Sequence, residues 1–293
     1  MVNVEDSIKK VAAIHDLSGF GRASLCSIIP TLSTMGVQVC PLPTAILSNH
    51  TGGFDHYSFV DLTDSMEEYI DHWKRLGLHF DCVYSGFLGS TRQIHIVADF
   101  IDYFGTPDNL VVVDPVMGDN GSLYSSMTEE IIPQMKGLIA KADIITPNFT
   151  ESAFLLGESC KDRISDEEIK QWLLRLSEMG PDVVIITSAP EEQSSGNTNV
   201  VAYDRRNHAF WKVGCRYIPA SYPGTGDTFA SVVIGSLLQG DSLPVAIDRA
   251  VQFISQCIKA SYGFDYPKRN GVLLEKELGI LKMPVLISGY EML

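Results

Sequence analysis

The chain has 293 residues, with 22 Lys and Arg against 36 Asp and Glu, and a formal net charge of −14. Its 45% hydrophobic and 20% charged residues are ordinary for a globular chain, which excludes wholesale disorder. The acidic balance, without a local basic cluster, argues against nucleic-acid or anionic-membrane partners, and no apolar run approaches the ~20 residues that span a bilayer. The six cysteines, Cys26, Cys40, Cys82, Cys160, Cys215 and Cys257, form no Cys-x-x-Cys pair, so a zinc ribbon or thioredoxin-type site has no support. The acidic start MVNVEDSIKK reads as no secretory leader. Reduced thiols in a cytoplasmic protein are expected.

In chain order, short apolar runs alternate with amphipathic stretches of helical length. Strands are predicted at Val11–His15, Val37–Leu47, Cys82–Ser85, Leu110–Asp114, Asp143–Thr146 and Val183–Thr187. Each is short and almost continuously apolar, as a parallel strand covered on both faces should be. Helices are predicted between them at Ala23–Met35, Ser65–Leu76, Arg92–Phe104, Ser126–Lys141 and Glu167–Met179. After a polar loop at Glu191–Asn199, a hairpin is expected from Asn199–Tyr203 and His208–Val213, then helices at Thr225–Leu238 and Pro244–Ser261. This alternation implies one α/β domain over residues 1–293, a mostly parallel sheet with helices on both faces. Ligands in such sheets bind beyond the carboxyl ends of the strands.

The first strand end reads HDLSGFGRAS, residues His15 to Ser24. Gly19-Phe20-Gly21-Arg22-Ala23-Ser24 nearly matches a dinucleotide fingerprint, but no acidic residue lies between Asp16 and Asp55 to hold a ribose. What remains is a turn presenting Asp16 and Ser18, either to a ligand or as caps of the next helix. The strongest signal is Gly224-Thr225-Gly226-Asp227 at the start of a helix. Glycines and a helix N-terminus make an anion pocket, yet the Walker lysine is absent. A carboxylate inside an anion pocket is explained if Asp227 is a general base for an attacking hydroxyl, beside amides that stabilise phosphoryl oxygens. The plainer alternative is an ordinary helix start with Asp227 favourable in its first turn.

Asp114 ends the VVV run, where a buried carboxylate asks for a partner such as a cation. Asn148 followed three later by Glu151 is a capping-box pattern. With Asp227 and Thr187, Asp114, Asn148 and Glu151 fall at one sheet edge, the oxygen set that Mg²⁺ requires. Thr44 and the Asn49–Gly53 loop are candidates for substrate contact, and Phe87 either stacks on a flat ring or fills the core.

These blocks, AIHDLSGFGRAS, PLPTAILSNHTGG, YSGFLGS, VVVDPVMGDNG, TPNFTESAFLLGE and PGTGDTFAS, resemble the ribokinase-like superfamily and within it the pyridoxal kinases, from about Val11 to Gly263. The resemblance implies a three-layer α/β/α fold and transfer of the γ-phosphoryl of ATP to the 5′-hydroxymethyl of pyridoxal, pyridoxine or pyridoxamine. It implies Asp227 as catalytic aspartate with the amides of Gly224, Thr225 and Gly226, and Asp114 and Glu151 for Mg²⁺ and the phosphates. It also implies Thr146 and Thr187 on the nucleotide side, and Thr44 and Asp16 against the pyridine ring. Asp16 departs from the serine often found there and resembles the Asp-x-Ser-Gly turn of hydroxymethylpyrimidine kinases, which usually carry Cys where this chain has Asp227. A hydroxymethylpyrimidine kinase is therefore the alternative, a sugar kinase a third, and a non-catalytic vitamin or nucleotide sensor a fourth. A homodimer is implied, and a requirement for a monovalent cation such as K⁺ is left open.

Overall fold

The computed structural model describes residues 8–191, 197–216, 218–284 and 289–293. The chain begins with β1 (Lys10–Ser18), α1 (Leu25–Thr34), β2 (Gln38–Leu47), β3 (Phe59–Asp61), α2 (Thr63–Arg75) and β4 (Cys82–Ser85). It continues through α3 (Thr91–Phe104), β5 (Leu110–Val113), the short β6 (Gly118–Asp119) and β7 (Ser122–Leu123), α4 (Ile131–Ile139), β8 (Ile144–Ile145) and α5 (Phe149–Leu156). Then come α6 (Asp166–Glu178), β9 (Val183–Pro190), β10 (Asn197–Asp204) and β11 (Ala209–Arg216), followed by α7 (Thr225–Leu238), α8 (Leu243–Tyr262), α9 (Leu274–Glu277) and β12 (Glu291–Met292). Two compact units result: Met1–Tyr84 with Ile218–Ser288, and Ser85–Tyr217 with Gly289–Leu293.

In the first unit the strand order is β4-β1-β2-β3. β1 and β2 run parallel, and β3 adds an antiparallel edge along Ala45–Leu47 only. That short pairing explains how β2 tolerates Pro41 and Pro43: both precede the part of the strand that β3 covers, where a missing N–H costs no ladder bond. The β1–β2 register shifts between His15 and Leu17, opposite Pro43 and Ile46. Such an irregularity re-aims side chains at a strand end, and here it falls at Asp16 and Thr44. Helix α7 packs against α1 and α8, and its residues Thr228–Ser236 are all buried. A helix apolar on every side is held on every side, so its N-terminus is a fixed point.

In the second unit the order is β12-β11-β10-β9-β8-β5. The strands β5, β8 and β9 are parallel, and β10, β11 and β12 extend them antiparallel. Most predicted elements stand within two residues of their expected ends. Strands β1, β9 and β11 run three residues past their expected ends, and helix α4 departs most, beginning at Ile131 rather than Ser126. Proline is accommodated without a lost hydrogen bond in a first turn, and Pro133 stands in the first turn of α4. Of the loop expected at Glu191–Asn199, residues 192–196 lie outside the described residues, and Asn197–Asn199 already belong to β10. β3 escaped notice because all three residues are exposed and lack alternation. The β6–β7 hairpin is too short for periodicity, though its turn residues Asn120 (φ 52°) and Gly121 (φ 78°) are the Asn-Gly pair such turns need.

Candidate active site

In the first unit, the site grows from the start of α7. Gly224 has φ 79°, and a Cβ there would lie 1.9 Å from the Arg22 carbonyl oxygen, so only glycine fits. Its carbonyl accepts both the Thr228 N–H (3.0 Å) and the Thr228 hydroxyl (2.8 Å). With the first helical bond made by Thr228, the N–H groups of Thr225, Gly226 and Asp227 have no acceptor within the helix. A Cβ at Gly226 would meet open space. The turn therefore offers amides, positive helix-end charge and room for an anion.

Asp227 sits on this turn with its side chain 15% exposed. Oδ2 accepts the backbone N–H of Ser24 at 2.8 Å, and Oδ1 lies 4.0 Å from Nδ1 of His15. Burial raises its pKa to about 6; the Ser24 N–H opposes the rise and the nearby Asp16 charge adds to it. His15 is fully buried, which lowers its pKa to about 3 and keeps it neutral. Its ring meets Tyr84 edge-on at 4.4 Å. Asp16, at the bulge, is also buried: Oδ2 accepts the Ser18 hydroxyl (2.9 Å) and Oδ1 the Ser24 hydroxyl (2.5 Å). Burial pushes the Asp16 carboxyl up, against those two hydrogen bonds. Thr44 is fully buried on β2. His50 closes the neighbouring loop, with Nε2 2.6 Å from the Arg269 carbonyl and Nδ1 accepting from Gly52 N–H. Gly21, at φ 94°, leaves space for that imidazole, since a Cβ would stand 2.3 Å from its Cδ2.

In the second unit, the strand ends gather a different set. Asn148 caps α5 and receives the Glu151 N–H on Oδ1 (2.8 Å), while its own N–H donates to Glu151 Oε2 (2.8 Å), a complete capping box. Glu151 Oε1 accepts the Met117 N–H (3.0 Å), and the Asn148 side-chain amide donates to the Gly118 carbonyl (2.8 Å). Burial raises the Glu151 pKa to about 8, with the donor N–H groups opposing and Asp119 adding to the rise. Thr187 sits where β9 bulges against β10, next to Ser188 at φ 58°, and its N–H reaches the Pro147 carbonyl (2.9 Å). Thr146 is buried, its hydroxyl without a partner among the described residues. Asp114 is buried after β5, its N–H bonded to the Ser85 carbonyl (2.9 Å), and Phe87 is half-buried.

The sequence-predicted residues thus fall into two sets. Asp16, Ser18, Thr44, Gly224, Thr225, Gly226 and Asp227 belong to the first unit; Phe87, Asp114, Thr146, Asn148, Glu151 and Thr187 to the second. Some side chains have prior engagements: the Ser18 hydroxyl serves Asp16, and the Thr225 hydroxyl reaches the Tyr222 carbonyl (3.1 Å). His15 and Ser24 stand beside Asp227 without having been singled out from the sequence, whereas His50 belongs to the Asn49–Gly53 loop expected to contact substrate. All three lie inside recognisable blocks, and the signal for Ser24 was its place where a fingerprint would carry a third glycine. Among the described residues, no three His, Cys, Asp or Glu side chains gather as a metal cage, and no helix is long and apolar enough to cross a membrane.

A buried carboxylate beside helix amides without a helical acceptor is a setting suited to phosphoryl transfer, and the fold gives the class: a ribokinase-like kinase with a mostly parallel central sheet. The sequence profile of the phosphomethylpyrimidine kinase family matches residues 26–272, and the chain belongs to that family. A Bacteroides thetaiotaomicron protein described as a phosphomethylpyrimidine kinase, crystallised with pyridoxal, is 56% identical, with a TM-score of 0.94 over 98% of this chain and 100% of its own. Pyridoxal kinase from Lactobacillus plantarum is 31% identical, with a TM-score of 0.85 over 93% of this chain and 96% of its own. Pyridoxal kinase of Homo sapiens is 29% identical over 257 residues, 79% of this chain and 81% of its own length. The resemblance to pyridoxal kinases read from the strand-end blocks holds.

Proposed function

We propose that the chain is the kinase that phosphorylates the 5′-hydroxymethyl group of pyridoxal, pyridoxine or pyridoxamine with ATP. The observation that carries this is Asp227, a carboxylate with a pKa near 6 seated on the open amide turn of α7. Ionised Asp227 takes the alcohol proton as the new O–P bond forms and the bond from the γ-phosphorus to the ADP oxygen breaks. The N–H groups of Thr225, Gly226 and Asp227 stabilise the charge on the transferring oxygens. Asp16, Ser18, Thr44 and Phe87 face the vitamin in this reading, and Asp114, Thr146, Asn148, Glu151 and Thr187 the nucleotide.

The donor set fits Mg²⁺, which binds through one or two carboxylates plus phosphates and keeps several waters. Asp114 and Glu151 would hold it; both Glu151 oxygens already accept backbone N–H groups, so contact through water suits that residue. Bound there, Mg²⁺ would neutralise phosphate charge. Replacing Asp114 or Glu151 should raise the Mg²⁺ concentration needed for half-maximal rate, and an unchanged titration counts against the assignment. A K⁺ titration at fixed Mg²⁺ tests the monovalent requirement.

On this reading residues 1–293 work as one kinase domain in the cytoplasm. The exposed edge β3, with Phe59 and Val60 about half exposed beside exposed Tyr57 and Ile46, supports a homodimer built on that edge. Light scattering on a Val60→Lys variant should then report monomers.

A coupled ATP-consumption assay run in parallel on the three B6 vitamers and hydroxymethylpyrimidine tests the activity. Turnover is expected with the vitamers; ATP use with hydroxymethylpyrimidine alone would move the substrate to the alternative that the Asp16–Gly19 turn favours. No ATP use with any of them would leave a sensor. Asp227→Asn should lower turnover by ~10³-fold or more with ATP still bound.

A further inference from the structure

We infer that Ser24 is the positioning residue that ties the vitamin-side carboxylate Asp16 to the catalytic carboxylate Asp227, so that the two present themselves to substrate as one pre-set pair. The inference deepens the kinase reading and rests on it. Ser24 touches both groups at once: its backbone N–H donates to Asp227 Oδ2 at 2.8 Å, and its hydroxyl donates to Asp16 Oδ1 at 2.5 Å. No other described residue bonds both carboxylates through its own donors.

The backbone shows what that double contact requires. Ser24 has φ 50° and ψ −137°, a conformation that L-residues rarely adopt and glycine adopts without strain. A serine held there needs a reason in its side chain. Helix capping is not that reason, because Ser24 stands at the N-cap of α1 and its side chain makes no cap hydrogen bond. The hydroxyl goes to Asp16 instead, and the residue is buried. Both ends of the link rest on firm supports. Asp16 is gripped on its other oxygen by Ser18, and Asp227 stands on the buried helix α7. Without the hydroxyl, Asp16 loses the donor on Oδ1 and keeps the Ser18 hydroxyl on Oδ2, while the N–H to Asp227 survives. The loss should therefore fall on recognition of the vitamin rather than on the chemical step.

The test compares Ser24→Ala, Ser24→Gly, Asp16→Asn and the double variant Asp16→Asn/Ser24→Ala, with pyridoxal as the varied substrate at saturating MgATP. Wild-type turnover of pyridoxal is measured first and reports on the kinase reading alone. Ser24→Ala should raise KM for pyridoxal about tenfold, with kcat within about threefold of wild type. Adding Ser24→Ala to Asp16→Asn should change KM by less than about threefold, because the hydroxyl acts through Asp16. Should the alanine variant fail to fold, Ser24→Gly removes the same hydroxyl from a backbone that glycine adopts freely, and the same KM rise is expected. A fall in kcat at unchanged KM, full additivity with Asp16→Asn, or wild-type constants in the Ser24 variants would each overturn the inference.

Discussion

A single carboxylate carries opposite demands in this molecule. On the kinase reading Asp227 must be ionised to take a proton, yet burial lifts its pKa from 3.8 to about 6. A base with that value works at neutral pH and still has a strong enough hold on the proton to assist its transfer. Activity should accordingly fall as pH drops through about 6, and the acid limb should vanish from any residual rate of Asp227→Asn. The same shift has a stability sign. Because the folded pKa lies above the unfolded one, the charged form is penalised on folding; the penalty is complete above about 6 and gone below about 4. Asp227→Asn should therefore be more stable than wild type at pH 7, by roughly 1–3 kcal/mol, with the gain disappearing near pH 4. Urea unfolding at the two pH values measures it; equal stabilities at pH 7 would mean that the carboxylate is not strained by its site.

At the scale of elements, the two glycines of the α7 turn differ in kind. A Cβ at Gly224 would strike backbone atoms of Arg22 and Ala23 at a positive φ, so Gly224→Ala should cost about 3 kcal/mol or more and shift the urea midpoint accordingly. A Cβ at Gly226 meets nothing, so Gly226→Ala should fold with normal or slightly higher stability but, on the kinase reading, turn over poorly, its methyl standing where that reading puts the phosphoryl oxygens. The capping box of α5 offers a third case: Asn148→Ala should cost about 1 kcal/mol. These elements also show what the sequence disclosed. Thr225–Leu238 and Cys82–Ser85 were readable to the residue because an abrupt Gly-Thr-Gly-Asp start and a uniformly apolar run leave little choice of boundary. The Asn148–Glu151 spacing disclosed the box, but not that both Glu151 oxygens would be occupied by backbone. Ser24 and His15 stayed hidden for another reason: their roles arise from contacts to Asp227, more than 200 positions away, which no local pattern encodes.

For the whole molecule, the kinase reading makes a demand that neither unit meets alone. Asp16, Ser18, Thr44 and Asp227 belong to one unit, Phe87 and the capping-box cluster assigned to the nucleotide to the other, and the proposed transfer calls on residues of both. If residues 1–293 act as one domain, thermal unfolding should be a single transition, and either ligand should raise it. A ligand at a hundred times its Kd stabilises the folded state by about 2.7 kcal/mol. For a chain of this size that moves the midpoint by roughly 4 °C. Pyridoxal alone and MgATP alone should each shift the whole transition, whichever unit holds the residues they touch. Calorimetry separates the outcomes. One peak moved by both ligands supports cooperative coupling of the two residue sets. Two peaks, one answering only to pyridoxal and the other only to MgATP, would mean that the units fold independently and that the single-domain proposal is wrong, while leaving the chemistry of Asp227 to stand on its own test.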